Sequence, residues 1–460
     1  MQTIVMFEER ANGALDVDEL LRKAAKPTQD SLRLHPLYRG KIQMLPKCPV
    51  RNLDDFAIWY TPGVAAPCKV IQADPAAAYE HTNKGNSVAI VTDGTRVLGL
   101  GDIGPVAALP VMEGKALLFK YLGGVDAVPI CLNTKDPEEI VRIVRALTPA
   151  FGGINLEDIA QPKCFRILEA LRRSTDIPVW HDDQQGSATV LLAGLLNALR
   201  LAGKDIRRIR IALVGTGAAN ISVYRLLKAT GADPRLIIAC DSQGTLHRGR
   251  RDIADKQAEY VEKWQLCTES NAGQVQGGID AALKGADVCI AFSKSGPGVI
   301  QPAWIKSMAA DAVVFACANP VPEIWPWEAK QAGARIVATG RSDFPNQVNN
   351  SLVFPGLFRG VLEVRARTIS DSMAIAASRE LARCAEGHLA DDAVLPTMDD
   401  YDVAARIAAA VAVQAQTEGL AALKKSWDEV YNSARMAILS ARRATDLLMD
   451  EGLIPPPPGE

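Results

Sequence analysis

Short apolar runs alternate along the chain with longer stretches in which apolar side chains recur every three or four positions. From Ser87, SVAIVTDGTRVLGLGDIG reads as two strands with a glycine-rich exit, and PVMEGKALLFKYLGGVDAVPICL as a helix, a turn and a strand. Arg142 to Leu147 belongs to a further helix. FGGINLEDIAQPKCFRILEALRRS gives a strand end, an acidic pair and a helix, and IPVWHDDQQGSATVLLAGLLNALR a strand feeding a helix. A second block opens with RIRIALVGTGAANISVYRLLKATGADPRLIIACDSQG and continues through the buried-strand signals ADVCIAF, AVVFACANP and RIVATGRSDF. Such alternation predicts an α/β fold: an N-terminal α/β substrate domain over 1–178, then a doubly wound Rossmann-type sheet over 179–351. After Phe354 the pattern turns helical, with Ala- and Leu-rich stretches at Ser370–Glu386 and Tyr401–Met449. Residues 352–460 are therefore expected to be helices packing back on the first domain, with PPPPGE as a mobile tail.

A length of 460 residues agrees with more than one core. Lys and Arg at 51 against Asp and Glu at 53 leave a net charge of -2, which gives no field for gripping nucleic acid or an anionic membrane. A small-molecule ligand is expected instead. The N-terminus carries acids early and resembles no signal or transit peptide, and no uninterrupted apolar run of about 18 residues suggests a membrane span. Nine scattered cysteines, none spaced C-x-x-C, fit reduced thiols in the cytoplasm.

Two motifs carry candidate chemistry. In VGTGAAN, Gly215 allows a tight turn, Gly217 lets a phosphate approach, and Ala218, Ala219 and Asn220 open a helix whose amides face the pyrophosphate. Asn220 stands where Gly or Ala usually permits close packing. Asp241 ends the next apolar run 24 residues past Gly217, a suitable distance for a ribose-binding acid. It suits the free 2′-hydroxyl of NAD, whereas His247, Arg248 and Arg250 could meet the 2′-phosphate of NADP; the expectation leans to NAD. The second motif is acidic. Glu157 and Asp158 in NLEDIA and Asp183 in HDDQQG offer the all-oxygen ligation that Mg²⁺ or Mn²⁺ prefers, with Asp182 orienting Asp183 or a nearby lysine. Helix capping by acids is the competing explanation for either pair alone. His181 is read as a packing or hydrogen-bonding residue.

YTPGVAAPC, TDGTRVLGLGDIG, PVMEGKALLFK, FGGINLEDI, IPVWHDDQQGSA, CANPVPEI and ATGRSDFPNQVNNSLVFPGLFRG together resemble the successive motifs of the bacterial malic enzymes, from about Leu45 to about Val364. The resemblance implies metal-dependent oxidative decarboxylation of malate to pyruvate and CO₂ with reduction of NAD or NADP, in a homodimer. By motif, Tyr60 resembles the general acid, Lys115 the general base, and Glu157, Asp158 and Asp183 the metal ligands. Arg96 would grip a substrate carboxylate, and Asn319, Asn349 and Asn350 would contact substrate or nicotinamide. The acyltransferase-like extension of some relatives is not expected here. Gln185, Ser187 and the polar SKSGPGVI segment depart from the family's usual residues on the cofactor side. Alternatives are another β-carboxy hydroxy acid as substrate, redox-neutral conversion of malate to lactate, or a nucleotide-binding protein that has lost turnover.

Overall fold

The computed structural model describes residues 17–458; the N-terminal stretch through residue 16 and residues 459–460 lie outside them. Two longer helices, α1 (Val17–Tyr38) and α2 (Ala65–Ala73), and two short ones at Asp55–Trp59 and Ala78–His81 precede the first strand. Strands β1 (Ser87–Thr92), β2 (Asp126–Cys131), β3 (Gly153–Leu156) and β4 (Val179–His181) form an all-parallel sheet in the order β2-β1-β3-β4. The crossovers carry α3 (Gly104–Gly123), α4 (Pro137–Leu147) and α5 (Lys163–Ser174). Every β1 residue is buried, and the two-residue period divides them: Val88 and Ile90 join one core with Met112 and Phe119 of α3, while Ala89 and Val91 join another with α4 and α5.

Helix α6 (Ser187–Ala202) leads to the second sheet, built from β5 (Ile211–Val214), β6 (Ile237–Asp241), β7 (Gly244–Thr245), β8 (Val288–Ala291), β9 (Val313–Ala316) and β10 (Ile336–Thr339). Its order is β10-β9-β8-β5-β6-β7, and all pairs are parallel except β6 with β7. Counted from its own first strand this is the Rossmann order, with the topological switch between β5 and β8. Helices α7 (Ala218–Thr230), after β5, and α8 (Val261–Glu269), after β7, are the longer helices of this half, and shorter ones at Arg251–Ala254, Ile279–Leu283, Pro302–Ile305 and Pro326–Gln331 complete it. Four further helices follow: α9 (Phe354–Glu363), α10 (Asp371–Cys384), α11 (Asp402–Thr417) and α12 (Trp427–Asp450). α9 and α12 pack on α3, and α10 packs on α6, so one continuous core runs from the first sheet into the second. Among the described residues no helix is long and apolar enough to cross a membrane.

Four details differ from the sequence expectation. The apolar run at 97–101 forms only an isolated bridge between Val97 and Gly101, because it wraps the end of β1 and has no neighbouring strand. β4 pairs with β3, which carries the first sheet to His181. The helical pattern from Tyr401 breaks at 418–426, where Leu420 and Ala422 make backbone bonds back to the end of α11 and to α9's exit. The proline tail is tied down: Tyr38 Oη donates to the Pro455 carbonyl and Arg33 Nη1 to that of Pro458, both at 2.8 Å.

Candidate active site

The carboxyl ends of β1, β3 and β4 face those of β5, β8 and β9 across a cleft of about 1030 Å³. Its walls bring together Arg96, Lys115, Glu157, Asp158, Asp183, Gly217, Ala218, Ala219, Asn319, Asn349 and Asn350. Residues more than 250 positions apart in sequence thus share one space. Tyr60 is not among them; it is 71% exposed and lies outside the cleft.

Lys115 is the centre of the acidic wall. It is only 7% exposed, its Nζ donates to Glu157 Oε1 at 3.0 Å and to Asp182 Oδ2, and the ammonium sits 4.1 Å from the centre of the Phe354 ring. Burial alone would lower the lysine's pKa, but the charges of Asp182 and Glu157 outweigh it and hold the amine above its ordinary value. Asp182 is itself fully buried and accepts from Trp180 Nε1 at 2.9 Å, so the first acid of HDDQQG is a lysine anchor. The turn Asp182–Gly186 is π-helical, a local widening common at functional sites, and Gly186 leaves room where a Cβ would lie 1.9 Å from Asp182 Oδ1.

The remaining acids are held in tension. Asp158 has φ of +54°, a left-handed backbone that a non-glycine residue adopts at a cost of about 1–3 kcal/mol. Its amide donates to Asp183 Oδ2 at 2.8 Å and its carbonyl accepts from the Arg96 amide at 3.0 Å, which interlocks three site residues. Burial, then the charge of Asp183, pushes Asp158 up to about 8. Burial and the neighbouring acids also push Glu157 well above the usual range, against the opposing charge of Lys115. Asp158 Oδ2 is buried with no hydrogen-bond partner. A crowded, all-oxygen donor set with an orphaned carboxylate oxygen fits a divalent cation. The three acids do not form a ready-made coordination shell, and no such cluster is preassembled among the described residues. Lys115 and Asn155 Nδ2, at 2.9 Å, occupy the oxygens of Glu157.

His181 is fully buried, with Nδ1 3.6 Å from Asp183 Oδ2; burial holds its pKa below the ordinary value, so it packs as a neutral ring. Asn155 was missed by sequence reasoning, though a polar residue inside the buried run GINL was its signal. Trp180, buried and bonded to Asp182, reads as mere core. Lys41 lines the cleft with no motif to mark it, and Lys294 and Cys317 line it from within SKSGPGVI and CANPVPEI, where neither was singled out.

On the facing wall Gly215 has φ of +90°, and a Cβ there would lie 2.5 Å from the Phe292 carbonyl oxygen, so both backbone angle and packing require glycine. A Cβ at Gly217 would meet nothing within 4 Å, because the residue faces the open cleft at the N-terminus of α7. Asn220, the departure from the usual fingerprint, reinforces the turn: its Nδ2 donates to the carbonyls of Val214 at 3.0 Å and Gly215 at 2.8 Å. Asp241 is clamped by Arg250 through two bonds of 3.0 Å, and it does not line the cleft. The polar 293–295 segment forms part of the wall, with the Ser293 amide bonded to buried Glu323 at 2.8 Å. Gln185 accepts from the His181 amide at 3.0 Å, and Ser187 lines the cleft.

A Rossmann-ordered sheet facing a buried lysine and a set of acids defines the class as a nicotinamide-dinucleotide dehydrogenase. The malic enzyme N-terminal domain matches residues 39–172 and the malic enzyme NAD binding domain residues 184–416. The chain is 48% identical over 408 residues to the bifunctional malic/malolactic enzyme of Bacillus subtilis, covering 88% of this chain and 97% of that one. It is 49% identical over 383 residues to the NAD-dependent malic enzyme of Geobacillus stearothermophilus, covering 83% and 78%. The crystal structure of Entamoeba histolytica malic enzyme superposes with a TM-score of 0.93 at 47% identity, covering 98% of this chain and 94% of that one. The chain belongs to the malic enzyme family.

Proposed function

We propose that this chain oxidatively decarboxylates L-malate to pyruvate and CO₂ while reducing NAD. The observation that carries the reading is the buried Lys115, clasped by Asp182 and Glu157 in the same cleft as Asp158, Asp183 and the glycine turn. Arg96 offers a planar guanidinium for a substrate carboxylate, and Asn319, Asn349 and Asn350 offer amides on the nicotinamide side. Glu157, Asp158 and Asp183 would hold Mg²⁺ or Mn²⁺, which when bound supplies a Lewis acid for the charge that develops on the C2 oxygen.

Lys115 takes the C2 hydroxyl proton as hydride passes from C2 to the nicotinamide. It can do so only when the acids around it have their charge engaged elsewhere, because facing them alone it is held protonated. The β-carboxylate then leaves as CO₂, its bonding electrons forming the enolate of pyruvate. A phenol gives C3 a proton, and the ammonium of Lys115 returns one to the phenolate; Tyr60 is the residue that resembles this acid. Atoms and charge balance, since the hydroxyl proton of malate ends on the methyl group of pyruvate.

NAD is the proposed preference on the 49% identity to an NAD-dependent malic enzyme; Asp241, clamped through both oxygens by Arg250, adds no support to it. The domain division proposed is one passing through the turn after β4, with α9–α12 bracing both halves. The test is pyruvate and NADH formation from L-malate with Mn²⁺, then after chelation; undiminished turnover without metal would contradict it. The relation to a malic/malolactic enzyme also favours a second product, lactate, formed with NAD retained. Product analysis with NAD in catalytic amount separates the two.

A further inference from the structure

The Asp182–Gly186 turn serves two compartments. Asp183 lines the catalytic cleft, whereas its neighbour Gln184 lines a separate cavity of about 290 Å³ that shares no lining residue with the cleft. Helix α7 is divided in the same way: Ala218 and Ala219 face the cleft, and Ile221, Ser222 and Arg225 further along face the cavity. Helices α5 and α8 supply the remaining walls. None of these cavity residues takes part in the proposed reaction.

The lining is graded by burial. Gln184 and Ser222 are almost fully buried, and Gln184 Nε2 and Ser222 Oγ have no hydrogen-bond partner. A ligand that bonds to such groups gains pairings that folding left unmade. Both are neutral, so a charge brought to that end finds no counter-charge to offset its desolvation. Phe165, Leu168 and Leu266 add apolar wall. The partly exposed lining carries both signs of charge. Arg225 Nε lies 2.8 Å from Asp371 Oδ2 and Lys228 pairs with Glu269, each keeping further N–H groups free, while Glu169 comes no nearer than 3.8 Å to Arg172 and Glu262 adds a second carboxylate. The volume is at the lower edge of the ~300–1,000 Å³ of small-molecule sites, so the ligand is small.

We infer that this cavity is a second ligand site that takes an α-amino acid with a neutral amide side chain, its ammonium and carboxylate between Glu262 and Arg225 and its amide against Gln184 and Ser222. The occupant braces Gln184, and with it the turn that carries Asp182 and Asp183, so the site is coupled to the acids of the cleft. Such coupling is reciprocal: a ligand that tightens Mn²⁺ binding is itself held more tightly, by the same factor, when Mn²⁺ is present. The coupling rests on the malate reading for Asp183 as a metal ligand; the binding site does not.

The experiment is calorimetric titration of the full chain with L-glutamine, first without metal or malate. One molecule should bind per chain, undisturbed by saturating NADH, and L-glutamate should bind at least about 10-fold more weakly because its tail brings a charge to the buried end. Ser222→Leu fills the buried end and Glu262→Gln removes the counter-charge of the ammonium. Each should weaken L-glutamine at least about 5-fold while leaving malate turnover in its absence at the wild-type level. No saturable binding, displacement by NADH or L-malate, or wild-type affinity in both variants would overturn the site. With Mn²⁺ present the affinity for L-glutamine should rise at least about 3-fold, and Mn²⁺ affinity with L-glutamine by the same factor; affinities that ignore each other would overturn the coupling. If L-glutamine binds in this pattern but wild-type protein leaves malate untouched, the functional reading fails and the site stands.

Discussion

At the scale of single residues, the adjacent acids Asp182 and Asp183 divide their work by burial. Asp182 is fully enclosed and spends both oxygens on Lys115 and Trp180, whereas Asp183 reaches the cleft. Asp182→Asn keeps the shape and removes one of the two charges that clasp the lysine. We expect kcat to fall at least about 100-fold with a small change in KM, because the base is misplaced while the substrate contacts stay. A rise confined to KM would make Asp182 a binding residue. Asp183→Ala should instead weaken Mn²⁺ binding by at least about 10-fold and abolish metal-dependent turnover; titration of the apoprotein with Mn²⁺ measures the first directly. Unchanged Mn²⁺ affinity would remove Asp183 from the ligand set.

At the scale of elements, the β5–α7 turn separates folding from binding. Gly215→Ala drives a Cβ against the Phe292 carbonyl at a positive φ and should lower Tm by several degrees. Gly217→Ala meets open space, so Tm should hold while the Kd for NADH rises at least about 10-fold, the methyl group filling the approach of the pyrophosphate. Equal loss of Tm in both variants would show that Gly217 also has a packing role. This turn was legible in the sequence because each of its cues is local: an apolar run, two glycines and a helix pattern. The strand-end positions of the acids were legible for the same reason. Three other features were not. The run at 97–101 has strand composition but no neighbour to pair with, and Asp241 has the right spacing but an Arg250 clamp that fills both its oxygens. The location of Tyr60 depends on how a 47–60 arm lies against the sheet, and no periodicity records that.

At the scale of the whole molecule, the two sheets are joined by helices that belong fully to neither. Gly124 lets α12 approach so closely that a Cβ there would lie 2.8 Å from the Ala437 carbonyl carbon. Nearby, the buried Arg359 bonds to Asn86 just before β1, and its Nε lies 3.2 Å from Glu363 Oε1. Glu363 also accepts from Lys425 at 2.6 Å and from Ser433 at 2.9 Å, so one carboxylate connects α9, α12 and the segment before it, and through Arg359 the first sheet. Glu363→Ala leaves the Arg359 guanidinium buried without its counter-charge, a loss of about 3–5 kcal/mol for a broken buried pair. Because the apolar core is continuous across both sheets, that loss should lower the unfolding temperature of the entire chain in one step. Calorimetry of wild type and Glu363→Ala, with tryptophan fluorescence followed in parallel, measures this. A single transition that moves down intact in the variant is expected, and two resolved transitions, only one of them shifted, would mean that the dinucleotide half is stable without the C-terminal brace.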